Sequence, residues 1–290
     1  MTATLYIQNE IRPSYISSRI RINKQSGQNL KEVYKKFGYE IVEPTLPVPI
    51  LRMIEEPTCE EVFSDWQTIS EQPQPEFPPK QILVEQQKEF LLNNYSALYP
   101  VVSMYNAMKF HRLDEKNGVV IGSMQPWVEI SALVNGAAKI LTVEYNELDI
   151  QDEFQYRMSS ILPIELVKDW QAYESKFDFA ASFSSIEHSG LGRYGDPIDP
   201  IGDIREVLKI KCMLKQGGLL FIGFPLGTDA IYYNAHRIYG AVRLAMLFNG
   251  FEFLGIFNGS SEMPKNLTSE RLQSKGDFKF SQNTIVLRKL

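Results

Sequence analysis

Gly122, Ser123, Glu144, Ser185, Glu187 and His188 each stand just past an apolar run, a placement that could bring them together although they span many positions of the chain. Gly122 and Ser123 follow Gly118-Val119-Val120-Ile121. Glu144 follows Ile140-Leu141-Thr142-Val143, and Ser184-Ser185-Ile186-Glu187-His188 follows Phe177 to Phe183. If the runs are parallel strands, their carboxyl ends open onto one crevice, where open α/β sheets bind ligands. An acid at the second tip is placed to accept hydrogen bonds from both hydroxyls of a ribose. A histidine titrating near neutrality can act as a general base, and a carboxylate beside it can orient an acceptor hydroxyl. His236, beyond a further run from Gly218 to Phe224, can reach the same pocket.

The elements needed to hold these residues are legible as periodicities. Leu98, Val101, Val102, Tyr105 and Met108 follow helical spacing and predict a helix ending before the polar turn Asp114-Glu115-Lys116-Asn117. Pro126 suits the first turn of a second helix, which Asn135-Gly136 stops. Ile204 to Leu208 predicts a helix behind the fourth strand, with the next strand starting at Gly218. Ile238 to Phe248 predicts another, stopped at Asn249-Gly250. Phe251 to Phe257 alternates as a strand and Thr284 to Leu290 supplies one more; with no helix between them they form an antiparallel edge to the parallel sheet. Glu147 to Lys176 shows no clear strand.

Composition narrows the function classes. The chain has 290 residues, 44% hydrophobic and 22% charged, as in ordinary globular proteins. A formal charge of −5 argues against a nucleic-acid face. No apolar run approaches the roughly 20 residues that span a bilayer, and Met1 to Arg21 lacks the continuous apolar stretch of a secretory signal, so a cytoplasmic protein without membrane partners is expected. The two cysteines, Cys59 and Cys212, are expected as free thiols, and the glycosylation triplets at Asn94, Asn258 and Asn266 as chance matches. Half of the 16 prolines lie between Pro44 and Pro79, which predicts extended, irregular chain. Residues 1–80 therefore read as an N-terminal arm, able to engage a protein partner through its proline-rich segment, and residues 81–290 as the main domain.

Phe177-Asp178-Phe179 to Ile186-Glu187-His188, followed by Arg205-Glu206-Val207-Leu208 and Leu214-Lys215-Gln216-Gly217-Gly218, resembles the strand-four to strand-five passage of class I S-adenosylmethionine-dependent methyltransferases. More narrowly, Gly122-Ser123 with Pro126-Trp127-Val128-Glu129, the run Ser184 to Pro197, and Asn234-Ala235-His236-Arg237-Ile238-Tyr239-Gly240 resemble the domain of unknown function 268 family, first catalogued from nematodes. The resemblance implies a Rossmann-like α/β fold, mostly parallel with an antiparallel closing strand. It also implies S-adenosylmethionine as cofactor and methyl transfer to a small molecule or glycan. Gly122, Ser123, Glu144 and Ser185 would then face the cofactor, and His188, Glu187 and His236 the acceptor. The chain departs from the class in its first loop, where Gly122 alone remains of the usual glycine-rich stretch.

Two other readings share these residues. A non-catalytic methyltransferase-like module would use the altered Gly122 loop and the proline-rich arm to bind a partner. A nicotinamide-dependent oxidoreductase shares the sheet and the acid but requires a glycine fingerprint after the first strand. Gly190, Gly192 and Gly195 match that fingerprint literally, yet they follow the fourth strand and run into Asp196-Pro197, so a loop over the cleft is expected there. Glu187, His188, Asp196, Asp199 and His236 lack compact metal-ligand spacing, and no metal is expected.

Overall fold

The computed structural model describes residues 57–70, 80–82, 99–123, 125–192, 196, 199–232, 236–274 and 282–290. Both proline-rich runs, Pro44 to Pro49 and Pro73 to Pro79, and Asn94 lie outside them. The described elements are α1 (Cys59–Ser70), β1 (Lys80–Ile82), α2 (Tyr99–His111), β2 (Asn117–Ile121), α3 (Trp127–Val134), β3 (Lys139–Val143) and β4 (Leu148–Ile150). Then follow β5 (Met158–Ile161), α4 (Pro163–Lys168), β6 (Phe177–Phe183), α5 (Gly202–Met213), β7 (Leu214–Phe224), β8 (Ala230–Tyr232) and β9 (His236–Ile238). The last are α6 (Ala241–Leu247), β10 (Phe251–Phe257), α7 (Ser269–Gln273) and β11 (Asn283–Lys289).

Seven strands form one sheet in the order β10-β11-β7-β6-β2-β3-β5. From β5 to β7 all neighbours are parallel; β11 enters antiparallel between β7 and the edge strand β10. The chain moves outward through β2, β3 and β5, then returns to the other side of β2 with β6. The reversal between β2 and β6 is a topological switch point, where an open sheet leaves a crevice. Burial follows from this order. Val119, Val120, Phe179, Ala180, Ala181 and Phe221 are fully buried, because the central strands are covered on both faces. On α2, Val102, Ser103, Met104, Asn106, Ala107 and Met108 are all buried, a wider face than the predicted stripe, because this helix packs on both α3 and the β7/β11/β10 end of the sheet.

Several sequence expectations change here. Glu147 to Lys176, which offers no strand by pattern, supplies β5, paired in parallel with β3, and β4, paired in parallel with β1 of the N-terminal region. The helix expected to start at Ile238 starts at Ala241, because His236–Ile238 pairs with Ala230–Tyr232 as a short antiparallel ribbon. Helix α5 runs to Met213 and β7 starts at Leu214, the extra residues before Gly218 being absorbed by a register shift against β6.

Residues 59–70, between the two proline clusters, form a helix rather than irregular chain. It has its own start signal, a reciprocal cap in which the Thr58 amide donates to Glu61 Oε2 (2.9 Å) and the Glu61 amide to Thr58 Oγ1 (3.3 Å). Its buried face, Val62, Phe63 and Trp66, packs against α5 and α4. Cys59 and Cys212 are disulfide-bonded, with a Cα–Cα distance of 5.6 Å, which corrects the expectation of free thiols. A sequence separation of 153 hides the pair until α1 is laid along α5.

Candidate functional site

The tips of β2, β3 and β6 do converge. Gly122 has φ +69°, and a Cβ there would lie 1.9 Å from Ser185 Oγ, so only glycine lets the β6 tip close against the β2 tip. The Gly122 amide donates to Val143 O (3.0 Å) and the Ser123 amide to Glu144 Oε2 (2.9 Å). Gly122, Ser123, Glu144 and Ser185, the four predicted cofactor residues, are thus brought together. Glu144 is 7% exposed, and its other oxygen accepts from the Tyr145 amide (3.0 Å) and Asn146 Nδ2 (2.9 Å). A carboxylate has about four acceptor positions, so three own-chain donors leave about one open.

Beneath this tip lies a carboxyl the sequence reading did not assign. Glu129 on α3 is fully buried and accepts from Ser123 Oγ (3.0 Å) and Thr142 Oγ1 (2.9 Å). Burial pushes its pKa up to about 7, against the opposing effect of those hydrogen bonds. Glu129 and Glu144 therefore grip Ser123 from two sides and shape the loop in place of the missing glycines. The signal was present: a lone acid inside the apolar helix Trp127-Val128-Glu129-Ile130-Ser131-Ala132 must be buried with partners.

At the β6 tip, Glu187 is 1% exposed. Gln282 Nε2 donates to Glu187 Oε1 (3.0 Å) and to Ser184 Oγ (3.1 Å), and Glu187 Oε2 is buried with no hydrogen-bond partner among the described residues. Burial also raises this carboxyl to about 7. His188 Nε2 lies 3.8 Å from Glu187 Oε1, beyond a hydrogen bond, and the His188 and His236 rings meet edge to face at 6.2 Å. The three predicted acceptor-side residues are neighbours, with His236 delivered by the β8/β9 ribbon.

Buried Arg237 sets the backbone here. Its guanidinium donates to the carbonyls of Glu187 (3.4 Å), Ser189 and Asp199 (3.2 Å), clamping the chain on both sides of the loop. Asp203 pairs with it and also accepts from Tyr239 Oη (3.0 Å) and Arg243 Nε (2.9 Å). Within the loop, the Gly190 and Gly192 amides donate to Asp196 Oδ2 at 2.7 and 3.2 Å, so these two donors of the literal glycine fingerprint are occupied by a side chain. Residues 193–195 and 197–198 lie outside the described residues.

A shallow, open pocket lies beside the tips, its enclosed space of about 20 Å³ being room for a water rather than for a small molecule. Its walls include Tyr145, next to Glu144, and Ser189, next to His188, together with Asp196 and Arg205; α1 contributes Trp66 and Ile69. Arg205 is tied to Asp199 (2.8 Å) and to Asp65 of α1 (3.1 Å), and Trp66 Nε1 donates to Glu206 (3.0 Å). Sequence reading placed no residue of α1 at the site. Among the described residues, no group of three or more His, Cys, Asp or Glu side chains could hold a metal, and no helix is long and apolar enough to cross a membrane.

The strand order and the crevice at its reversal define a Rossmann-like fold of the class I methyltransferase type. Within it, residues 115–290 match the family model described as Caenorhabditis protein of unknown function, DUF268, and the chain belongs to that family. No curated protein matches the chain. Similar solved structures include the Burkholderia thailandensis 1,6-didemethyltoxoflavin-N1-methyltransferase, at 11% identity over 86% of this chain and 93% of that one, with a TM-score of 0.46. A Thermotoga maritima S-adenosylmethionine-dependent methyltransferase, possibly a histamine N-methyltransferase, shares 19% identity over 71% of this chain and 96% of that one (TM-score 0.39). Haemophilus influenzae TehB shares 13% over 70% and 67% (TM-score 0.43).

Proposed function

We propose that this chain is a cytoplasmic S-adenosylmethionine-dependent methyltransferase acting on an oxygen or nitrogen of a small molecule or glycan. The observation that carries the reading is the meeting of the Gly122-Ser123 loop with the Glu144 carboxylate at the sheet's reversal, where Ser185, on the chain that continues into Glu187 and His188, closes against Gly122. The residues fit an adenosyl group in two respects: an acid with an acceptor position left for a ribose hydroxyl, and aromatic Tyr145 and Trp66 nearby. When bound, S-adenosylmethionine supplies a methyl group on a sulfonium, which an acceptor atom can attack.

The chain's own part is positioning and proton transfer. Glu144 and the Ser123 loop hold the ribose side. His188 would take the acceptor's proton on a ring nitrogen, and Glu187, whose Oε1 lies 3.8 Å from Nε2, would favour the imidazolium only in its ionised form. Isothermal titration with S-adenosylmethionine and S-adenosylhomocysteine tests the reading, which requires saturable binding of both. Absence of binding by either would favour a methyltransferase-like module that engages a partner, for instance through the proline-rich arm. That alternative draws on a specific observation, the Ser185 hydroxyl already filling the space beside Gly122.

A further inference from the structure

Helix α1 is a wall of the tip pocket that is fastened by a bond thiols can open. We propose that the Cys59–Cys212 pair is a reversible thiol–disulfide site that tightens or releases α1, and with it the Trp66 and Ile69 side of the pocket. A helix of 12 residues is marginal in water by itself, so α1 forms only while docked and opens as a unit. Its docking includes three buried apolar side chains, the Phe63–Trp170 stack (5.3 Å), Lys209 over the Trp66 ring (3.7 Å), the Asp65–Arg205 pair and the Trp66–Glu206 hydrogen bond, all on one face of a short helix. The disulfide bears on the same face of α5, where Arg205, Lys209 and Cys212 succeed one another at intervals of four and three residues. Closing it leaves the first turn of α1 at the surface of α5 even when the rest lifts, so redocking is a local event.

The two sulfurs are unequally accessible. Cys212 is 5% exposed, whereas Cys59 is partly exposed at the opening of α1. An external thiolate attacks Sγ of Cys59, forming a mixed disulfide and releasing Cys212 as a thiolate that takes up a proton. A second thiol then displaces Cys59. Two electrons and two protons pass to the protein, and two small thiols leave as their own disulfide; glutathione and glutathione disulfide are sufficient co-reactants in the two directions. Outside oxidising compartments, protein disulfides are characteristically transient and regulatory. The effect on ligand affinity rests on the cofactor reading above; the effect on α1 does not.

The test uses the full chain equilibrated, still folded, in reduced and in oxidised glutathione. Alkylation read by mass should show two blocked cysteines in oxidised buffer and two alkylated cysteines in reduced buffer. Hydrogen exchange over residues 59–70 should be about tenfold faster in the reduced form, and S-adenosylhomocysteine should bind it severalfold more weakly. Cys59→Ser should match the reduced protein and ignore the buffer. A disulfide that resists reduction in the folded protein, or exchange over 59–70 that is identical in both buffers, overturns the proposal and leaves a static staple. If S-adenosylhomocysteine binds in neither state, the cofactor reading fails, while alkylation and exchange still decide the tether.

Discussion

Glu129 and Glu187 both keep their carboxyls out of water, and burial raises each to about 7 from an ordinary value of 4.5. A raised carboxyl binds a proton in the folded state that the unfolded chain has already lost. Its stabilisation is therefore complete below about pH 4.5 and disappears as pH rises through about 7, at most about 3 kcal/mol for each group. His111, packed edge-on against Phe221 and Phe257 and lowered to about 4 chiefly by burial, works in the opposite direction, so a bare melting curve mixes the two. The difference between wild type and Glu129→Gln isolates one carboxyl. The variant should gain stability relative to wild type as pH rises from 5 to 8 in urea titrations, and a pH-independent difference would show that Glu129 stays ionised. A second residue-scale prediction concerns the base. His188→Ala should retain S-adenosylhomocysteine affinity yet lose roughly a hundredfold or more in methyl transfer. If His236→Ala alone abolishes turnover, the other imidazole carries the proton. Gly122, Glu144 and Ser185 were legible because strand ends advertise themselves; Gln282 was not, because nothing local says that it folds back onto Glu187.

Strands that alternate or run apolar, such as β2, β6 and β10, were readable from pattern. Met158-Ser159-Ser160-Ile161 was not, because β5 is a short strand with two exposed serines, held by pairing with β3 rather than by its own periodicity. The β8/β9 ribbon was missed for a related reason: its strands are three residues each, too short to show a period of their own, and only their pairing marks them. That ribbon places Arg237, which joins three carbonyls around the β6 loop and the Asp203 carboxylate. Arg237→Met keeps the stem's packing and removes the charge. It should cost about 3–5 kcal/mol, the usual scale for breaking a buried pair, with Arg243 left to offset part of the Asp203 charge. Hydrogen exchange should rise first across Ser189 to Gly192 and Asp199. Uniform destabilisation with no preference for that loop would remove Arg237 from its role as the loop's clamp.

For the molecule as a whole, the mostly parallel sheet with its antiparallel closing edge was the most secure part of the reading, since four strand tips and a closing pair admit few right-handed connections. The placement of α1 was beyond it, because α1 meets the sheet domain through α5 and α4, far along the chain. Fold alone does not choose among the ligands that such sheets bind, and here the choice turns on a loop with one glycine. A ligand that binds only the folded state at a hundred times its Kd adds about 2.7 kcal/mol. In a chain of this size that is a melting shift of about 5 °C. S-adenosylhomocysteine, which keeps the adenosyl group without the positive sulfur, should therefore raise the melting temperature by several degrees. Nicotinamide dinucleotides should not, because their pyrophosphate needs free backbone donors after β2, and the Gly122 and Ser123 amides already donate to Val143 and Glu144. The Glu144→Ala variant sharpens the comparison: removing an acceptor for the ribose should weaken S-adenosylhomocysteine at least tenfold. The same change orphans the Ser123 amide, so circular dichroism must first show the variant folded. Stabilisation by nicotinamide dinucleotides in place of S-adenosylhomocysteine would assign the crevice to hydride chemistry instead.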